Sequence, residues 1–352
     1  MPGEERPRAR TPKEAARATL ADVARRAGVS IATASYVVNG RDGVGDQTRA
    51  HVLRIAEEVG FRRNLLASSL RTGQSRVLGL VLADITNPFY PEVAGGVIAA
   101  AADAGYEVFL SHSGVDGRLV GDEVRALCDH QCAALIFTSL LVADGPLISE
   151  IVPGGMPIVQ TIRRASDLVG DFVGIDDRQG AREAAQHLID LGHRDVALLT
   201  GPSGSSASTE RSRGFRDILG AAGVEPGPDR VVECQLTVES GYDGASRLLA
   251  DHPSPPGALL CGNDLIALGA IDALADARLA VPADVSVVGY DDIWFSSSRR
   301  VELTTVRQPR DAIGRAAVSL ALDRLADADI ASRDVILPHE FVVRRSTRTA
   351  AA

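Results

Sequence analysis

Lysine is nearly absent from this chain: 352 residues hold one, Lys13, against 36 arginines. Ala, Gly and Val are abundant, so the bias fits a GC-rich coding sequence and carries no functional signal. Cysteine is scarce too, at Cys128, Cys132, Cys234 and Cys261. Only Cys128-Asp-His130-Gln-Cys132 is clustered. That spacing can serve a metal, but on or beside a helix it reads more simply as reduced thiols. No metal and no other cofactor is expected. No apolar run reaches the length of a membrane span, so no membrane partner is expected. Residues 1–18 are Arg-rich, Pro-containing and polar, without the apolar core of a signal peptide; they read as a disordered tail on a cytoplasmic protein. Also missing are G-x-G-x-x-G, G-x-x-x-x-G-K-[ST] and G-x-S-x-G, which leaves dinucleotide, P-loop and α/β-hydrolase chemistry without an anchor. His187 and His193 are six apart, a spacing that keeps them off one helix face; His193 is expected to bond locally at its helix end.

What is present is ordinary in bulk and uneven in place. The chain is 45% hydrophobic and 24% charged, as soluble globular proteins are. Its length exceeds one typical core, so two or three domains are expected. Net charge is −9, yet through Arg76 there are 14 basic and 8 acidic residues, while the remainder holds 23 and 38. A basic head on an acidic body suits a polyanionic partner confined to the N-terminus. A solvated helix face with a charged tail would count the same way, so charge alone does not decide.

The segment from Thr19 to Arg71 is more specific. Thr19 can cap a first helix with Asp22 as its capping-box partner. Leu20, Val23, Ala24 and Ala27 give that helix an apolar stripe. Gly28 can take the left-handed conformation that ends it. Ser30 then caps a second helix, with Ile31, Ala32, Tyr36 and Asn39 outward and Ala34, Val37 and Val38 inward. Asp46 can cap a third, whose Val52, Ile55, Ala56 and Val59 face inward. Two short helices meeting at a glycine turn, then a third, is the layout that sets one helix in a DNA major groove. A plain three-helix bundle shares the pattern, but the small, polar face of the second helix suits a groove.

From Val77 the pattern changes to apolar runs alternating with helix-period segments. One set of strands is read at Val77–Ala83, Tyr106–Ser111, Ala133–Thr138 and Pro157–Ile162, with helices at 91–104, 118–130 and 145–152. A second set begins at Phe172, Val196, Val231, Gly257 and Val285. Such alternation implies two doubly wound parallel-sheet subdomains, which bind ligands in the crevice at the carboxyl ends of their strands. There, Phe89 and Tyr90 can stack on a planar or sugar-ring ligand, or simply pack the cleft wall.

In order along the chain, T-L-A-D-V-A from Thr19, A-G-V-S, V-V-N-G, N-L-L-A-S-S-L-R from Asn64, N-P-F-Y from Asn87, R-S-R-G-F from Arg211, G-N-D-L-I-A-L-G from Gly262, V-G-Y-D-D from Val288 and T-V-R-Q-P from Thr305 resemble the lac repressor (LacI/GalR) family of bacterial transcription regulators. The resemblance covers residues 19 to about 347. It implies an all-α helix-turn-helix headpiece on a periplasmic-binding-protein-like α/β body. The expected division is headpiece 19–63, hinge helix and linker 64–76, and an effector-binding and dimerisation domain 77–347. Within the last, one subdomain holds 77–172 and 304–332, the other 173–303 and 333–347.

The resemblance also assigns residues. Ile31, Ala32 and Tyr36 would face bases; Ser30, Thr33, Ser35 and Asn39 would lie near phosphates, with Thr19 and Leu20 also on the DNA side. Leu70 would be the hinge wedge that enters the minor groove, with Arg71 beside it. Arg211, Asn263 and Asp291 would bind effector, and Gln308 faces the cleft in relatives. Paired donors and acceptors of that kind suit a polyhydroxylated ligand. Three departures bear on DNA: Tyr36, Arg63 and Ser68 stand where many relatives carry Arg, Pro and Arg. Two bear on ligand: Ile162-Arg163 replaces the Asp-Arg of many sugar-binding relatives, and Leu236 replaces an aromatic. The missing carboxylate favours a ligand with an apolar or anionic patch. The function implied is a homodimeric, effector-controlled regulator of a pseudo-palindromic operator, a repressor rather than an enzyme. The chain stops at Ala352 without a leucine heptad, which favours a dimer over a tetramer. A transport receptor shares the body fold but would need a signal peptide and no helix-turn-helix; a metabolite-binding enzyme would need catalytic motifs not found.

Overall fold

The computed structural model describes residues 18–38, 42–61, 75–114 and 118–350. Head and body are separate units, residues 1–74 and 75–352.

The head is three helices, α1 (Leu20–Ala27), α2 (Ile31–Val38) and α3 (Asp46–Glu58). Thr19 and Asp22 form a capping box: Thr19 N donates to Asp22 Oδ2 at 3.0 Å, and Asp22 N to Thr19 Oγ1 at 3.3 Å. Gly28 closes α1 at φ 66°, a conformation a side chain would resist. Ser30 Oγ then accepts from Thr33 N at 3.0 Å and starts α2. The third start differs from expectation. Gly45 is the N-cap and makes no side-chain bond, while Asp46 is the first helical residue. Its charge there still meets the positive end of the helix dipole. Val23, Ala24, Ala27, Ala34, Val37, Val52, Ile55 and Ala56 close the core, with Val59 and Phe61 packed against it.

The body runs β1 (Val77–Leu82), α4 (Phe89–Asp103), β2 (Glu107–His112), α5 (Val120–Asp129), β3 (Ala134–Phe137), α6 (Gly145–Ile151), β4 (Ile158–Thr161), β5 (Asp171–Gly174), α7 (Asp177–Asp190), β6 (Val196–Thr200), α8 (Ser206–Ala221), β7 (Val231–Glu233), α9 (Val238–Ala250), β8 (Ala258–Cys261), α10 (Asp264–Asp276) and β9 (Ser286–Val288). It ends with β10 (Thr305–Arg307), α11 (Arg310–Ala326), β11 (Asp334–Ile336) and β12 (Glu340–Val342). A six-stranded parallel sheet has the order β11-β5-β4-β3-β1-β2, a four-stranded one β7-β6-β8-β9, and β10 pairs antiparallel with β12. Every residue of β1, β3, β4, β5, β6 and β8 is buried, as sheets covered on both faces require.

Two placements correct the sequence reading. The run from Phe172 does not open the second sheet; it is β5, paired with β4 and β11 in the first. Segment 333–347 is not wholly with the second half either, because β11 completes the first sheet. A short apolar run does not encode which sheet it joins; a buried charge decides it. Asp171, fully buried on β5, accepts from Arg324 Nη2 at 2.9 Å and from Arg333 N at 2.8 Å, which ties α11 and β11 to that strand. α11 covers the first sheet late in the chain by close approach to α4. A Cβ on Gly96 would meet Asp311 O at 2.4 Å, and one on Gly314 would meet Val93 O at 2.4 Å.

The two histidines hold residues near the chain end, and for His193 this replaces the expected local bond. His187 Nε2 lies 2.9 Å from Thr347 Oγ1, and His193 Nε2 lies 3.0 Å from Arg348 O. Burial lowers both imidazole pKa values. The cysteines are all free, and burial pushes the Cys132 thiol up to about 11. Among the described residues no helix is long and apolar enough to cross a membrane.

Candidate functional site

Two surfaces carry the chemistry, one on each unit. On the head, α2 buries Ala34 and Val37 and leaves Ile31 57% and Tyr36 44% exposed. Ala32 is exposed beside them, and Thr33 and Ser35 are half-buried on the flanks. Ser30 Oγ and Thr33 Oγ1 are 2.8 Å apart at the helix start. A short helix with small residues and two projecting side chains, entered through hydroxyls at its N-terminus, is shaped to enter a groove. Asn39, Leu70 and Arg71 lie outside the described residues.

On the body, the site grows from strand ends. β1 delivers Ala83, Asp84 and Asn87; β4 delivers Arg163; β6 delivers Pro202; β7 delivers Leu236. With Tyr90 they line a narrow crevice that is partly open to solvent. The two halves are also bridged by hydrogen bonds: Val142 N donates to Gly204 O at 3.0 Å and Arg164 N to Ser206 Oγ at 2.7 Å. Tyr90 OH accepts from Arg163 Nη2 at 2.6 Å, and burial raises the phenol's pKa.

Beside it lies a buried ionic cluster. Arg211 Nε donates to Asp177 Oδ1 at 2.8 Å, its Nη1 reaches Gly262 O at 2.8 Å and Asp291 Oδ1 at 3.2 Å, and its guanidinium lies 3.8 Å from the Tyr290 ring centre. Gln308 Nε2 donates to Asp291 Oδ1 at 2.8 Å, and Arg310 bonds the Asp291 carbonyl. Burial pulls the Arg211 pKa down, but the two carboxylates outweigh it and hold the group firmly cationic. Burial raises both carboxylates, against Arg211. Asp291 and Asp292 are at φ 112° and 51°, strained backbone of the sort found at functional sites. Next to them Asp264, pushed up to about 7 by burial, accepts from Ser296 Oγ at 2.6 Å, Ile293 N at 2.9 Å and Thr305 Oγ1 at 2.6 Å.

The sequence candidates therefore separate. Tyr90 lines the crevice. Arg211, Asp291 and Gln308 form one network. Asn263 caps α10, its Oδ1 accepting from Ile266 N at 2.9 Å. Phe89 is 2% exposed and belongs to the core of the first half, so its predicted stacking role is replaced by packing, with its ring edge-on to Tyr90 at 5.3 Å.

Known proteins resemble both units of the chain. Residues 19–64 match the model for bacterial regulatory proteins of the lacI family, and residues 185–347 match a periplasmic binding protein-like domain. The HTH-type transcriptional regulator RegA of Clostridium saccharobutylicum is 33% identical over 332 residues, 94% of this chain and 99% of that protein. The chain belongs to the lacI family. The ribose operon repressor of Escherichia coli K12 is 33% identical over 311 residues, covering 88% of this chain and 93% of its own. A lac repressor dimer bound to operator and the anti-inducer ONPF superposes with TM-score 0.83 at 27% identity, covering 94% of this chain and 99% of its own.

As a lacI-family protein the chain is a helix-turn-helix transcriptional regulator. Three residues escaped the sequence reading of its body. Asp177 looks like an N-terminal helix acid and is instead the main partner of Arg211. Tyr290 lies inside the V-G-Y-D-D motif, under the guanidinium. Asn87 opens the N-P-F-Y motif, and only folding shows it on the crevice wall.

Proposed function

We propose that this regulator is a homodimeric repressor whose operator affinity is set by a small hydroxylated effector held in the body crevice. Ile31, Ala32 and Tyr36 read bases, Ser30, Thr33, Ser35 and Asn39 hold phosphates beside Thr19 and Leu20, and Leu70 with Arg71 occupies the minor groove at the operator centre. The crevice supports the effector reading most strongly: every strand that reaches it does so by its carboxyl end, from both halves. Tyr90 lies on its wall; Asn263, Asp291 and Gln308 follow β8, β9 and β10, and Arg211 reaches Asp291 from α8. Phe89 enters only by supporting Tyr90. Effector binding shifts the balance between bridged and opened halves; by linkage, DNA and effector change each other's affinity by one factor.

The test is a melting-temperature screen of the full chain against sugars, sugar phosphates, nucleosides and purines, followed by gel-shift assays on an operator selected from random DNA. A compound that raises the melting temperature by several degrees should change operator affinity at least fivefold. A stabilising compound that leaves operator affinity untouched counts against the reading.

A further inference from the structure

Two arginines are buried in the described residues, Arg163 and Arg211, each 5% exposed. Their surroundings are opposite. Arg211 has two carboxylates within 3.2 Å. Arg163 has none within 4 Å among the described residues, and the one bond recorded for its guanidinium goes to the neutral hydroxyl of Tyr90 at 2.6 Å. Even the partly buried arginines have acids: Arg310 has Glu92, Arg324 has Asp171 and Arg344 has Asp292, at 2.7–2.9 Å. A guanidinium taken out of water without a counter-charge is strongly disfavoured, so buried charges are paired or wait for a partner.

The neighbouring acids do not fill that role. Asp144, whose carboxyl feels Arg163, accepts from Leu141 N at 2.7 Å. Asp84, on the same crevice wall, accepts from Thr86 N at 2.8 Å and from Thr86 Oγ1 at 2.7 Å. The residue before the guanidinium is Ile162, which sits in the core of the first half at φ 67°. A branched apolar side chain in a left-handed conformation is strained, and this one brings no carboxylate to the crevice. Arg163 meanwhile lines the crevice with Tyr90 and Asn87.

We infer that the effector is anionic: a small hydroxylated compound carrying a phosphate or carboxylate group that Arg163 pairs from inside the crevice. The inference rests on the crevice being the effector site. Planar guanidinium forks match both oxyanions in a bidentate way, so the shared chemistry is an oxyanion. The ionic cluster of Asp177, Arg211 and Asp291, already self-paired, is left for neutral hydroxyls, and Asp84 can take another.

The experiment uses the full chain with inorganic phosphate, with gluconate, and with chloride at equal ionic strength, read by melting temperature and calorimetric titration. Phosphate or gluconate should stabilise the wild type saturably in the millimolar range, beyond chloride. Response to phosphate alone marks a phosphate ester, response to gluconate alone a sugar acid. Arg163→Met should weaken that response at least tenfold, and Arg163→Lys should keep part of it. The proposal is overturned if neither anion exceeds chloride, or if Arg163→Met answers like the wild type. Leu236→Trp, which fills the crevice from the other half, separates the two levels. If it abolishes a response that Arg163→Met keeps, the crevice stands and the pairing of the anion by Arg163 falls, which overturns the proposal. If both variants respond like the wild type, the crevice reading falls as well. Should Arg163→Met not fold, Arg163→Lys and Leu236→Trp carry the same comparison.

Discussion

Removing the Arg211 side chain leaves Asp177 and Asp291 buried side by side with no guanidinium between them. Uncompensated buried charge costs about 3–5 kcal/mol, comparable with the stability of many domains. Arg211→Ala should therefore lower the stability of the body by about that amount, measured by urea unfolding, before any loss of ligand response is interpretable. Gln308→Leu should cost only about 1–2 kcal/mol, because Asp291 keeps Arg211 and loses one neutral donor. A wild-type midpoint for Arg211→Ala would mean that the acids are not ionised around it. The sequence made Arg211 and Asp291 legible because R-S-R-G-F and V-G-Y-D-D, which carry the family resemblance, contain them. It hid Asp177, since an acid at a helix N-terminus is what dipole stabilisation alone would place there. It showed Ile162-Arg163 only as a departure. That Arg163 is buried without an acid depends on distances between chain segments, which no local pattern encodes.

Among the elements, the head helices and most strands follow from local rules: caps for the former, fully apolar runs for the latter. What failed to show was where separate segments meet. β5 and β11 join through the carboxylate of Asp171, and the chain end docks through His187 and His193. The docked end makes a pH prediction. Burial lowers both imidazoles below their usual 6.5, so the folded state rejects protons that the unfolded state accepts. Their contribution is present above pH 6.5 and is lost as pH falls through the lowered values. Asp264 acts in the opposite sense. Its pKa is raised from 3.8 to about 7, so its contribution is present below the unfolded value and is lost as pH rises toward 7. Melting of the wild type between pH 5 and 7.5 should thus show partly cancelling slopes. His187→Gln with His193→Gln should remove the acid-side loss, and Asp264→Asn should remove the loss on the neutral side. Unchanged slopes in either variant would sink the corresponding assignment.

At the scale of the molecule, the body leaves an apolar face open for a partner. The first half presents apolar side chains that its own core does not cover: Phe109 and Leu110 on edge strand β2, 38% and 41% exposed, Ile98 on α4 at 47%, and Leu119 ahead of α5 at 46%. Edge strands left open and apolar are normally covered by another chain. A two-fold copy of this chain is expected to cover them, and a two-fold protein matches a pseudo-palindromic operator. The head buries only a small three-helix core and gives little surface for pairing. The body alone should therefore hold the dimer. Removing residues 1–75 should leave a dimer at micromolar concentration that binds effector and no DNA. Ile98→Lys with Leu110→Lys should instead give a folded monomer with an intact head. Each half-site would then be bound alone, without the effective concentration its linked twin provides, and operator affinity should drop on the order of 10²–10⁴-fold. Sedimentation and gel shift on the same samples separate the outcomes. A truncated body that sediments as a monomer, or a lysine double variant that stays dimeric, would place the pairing surface elsewhere.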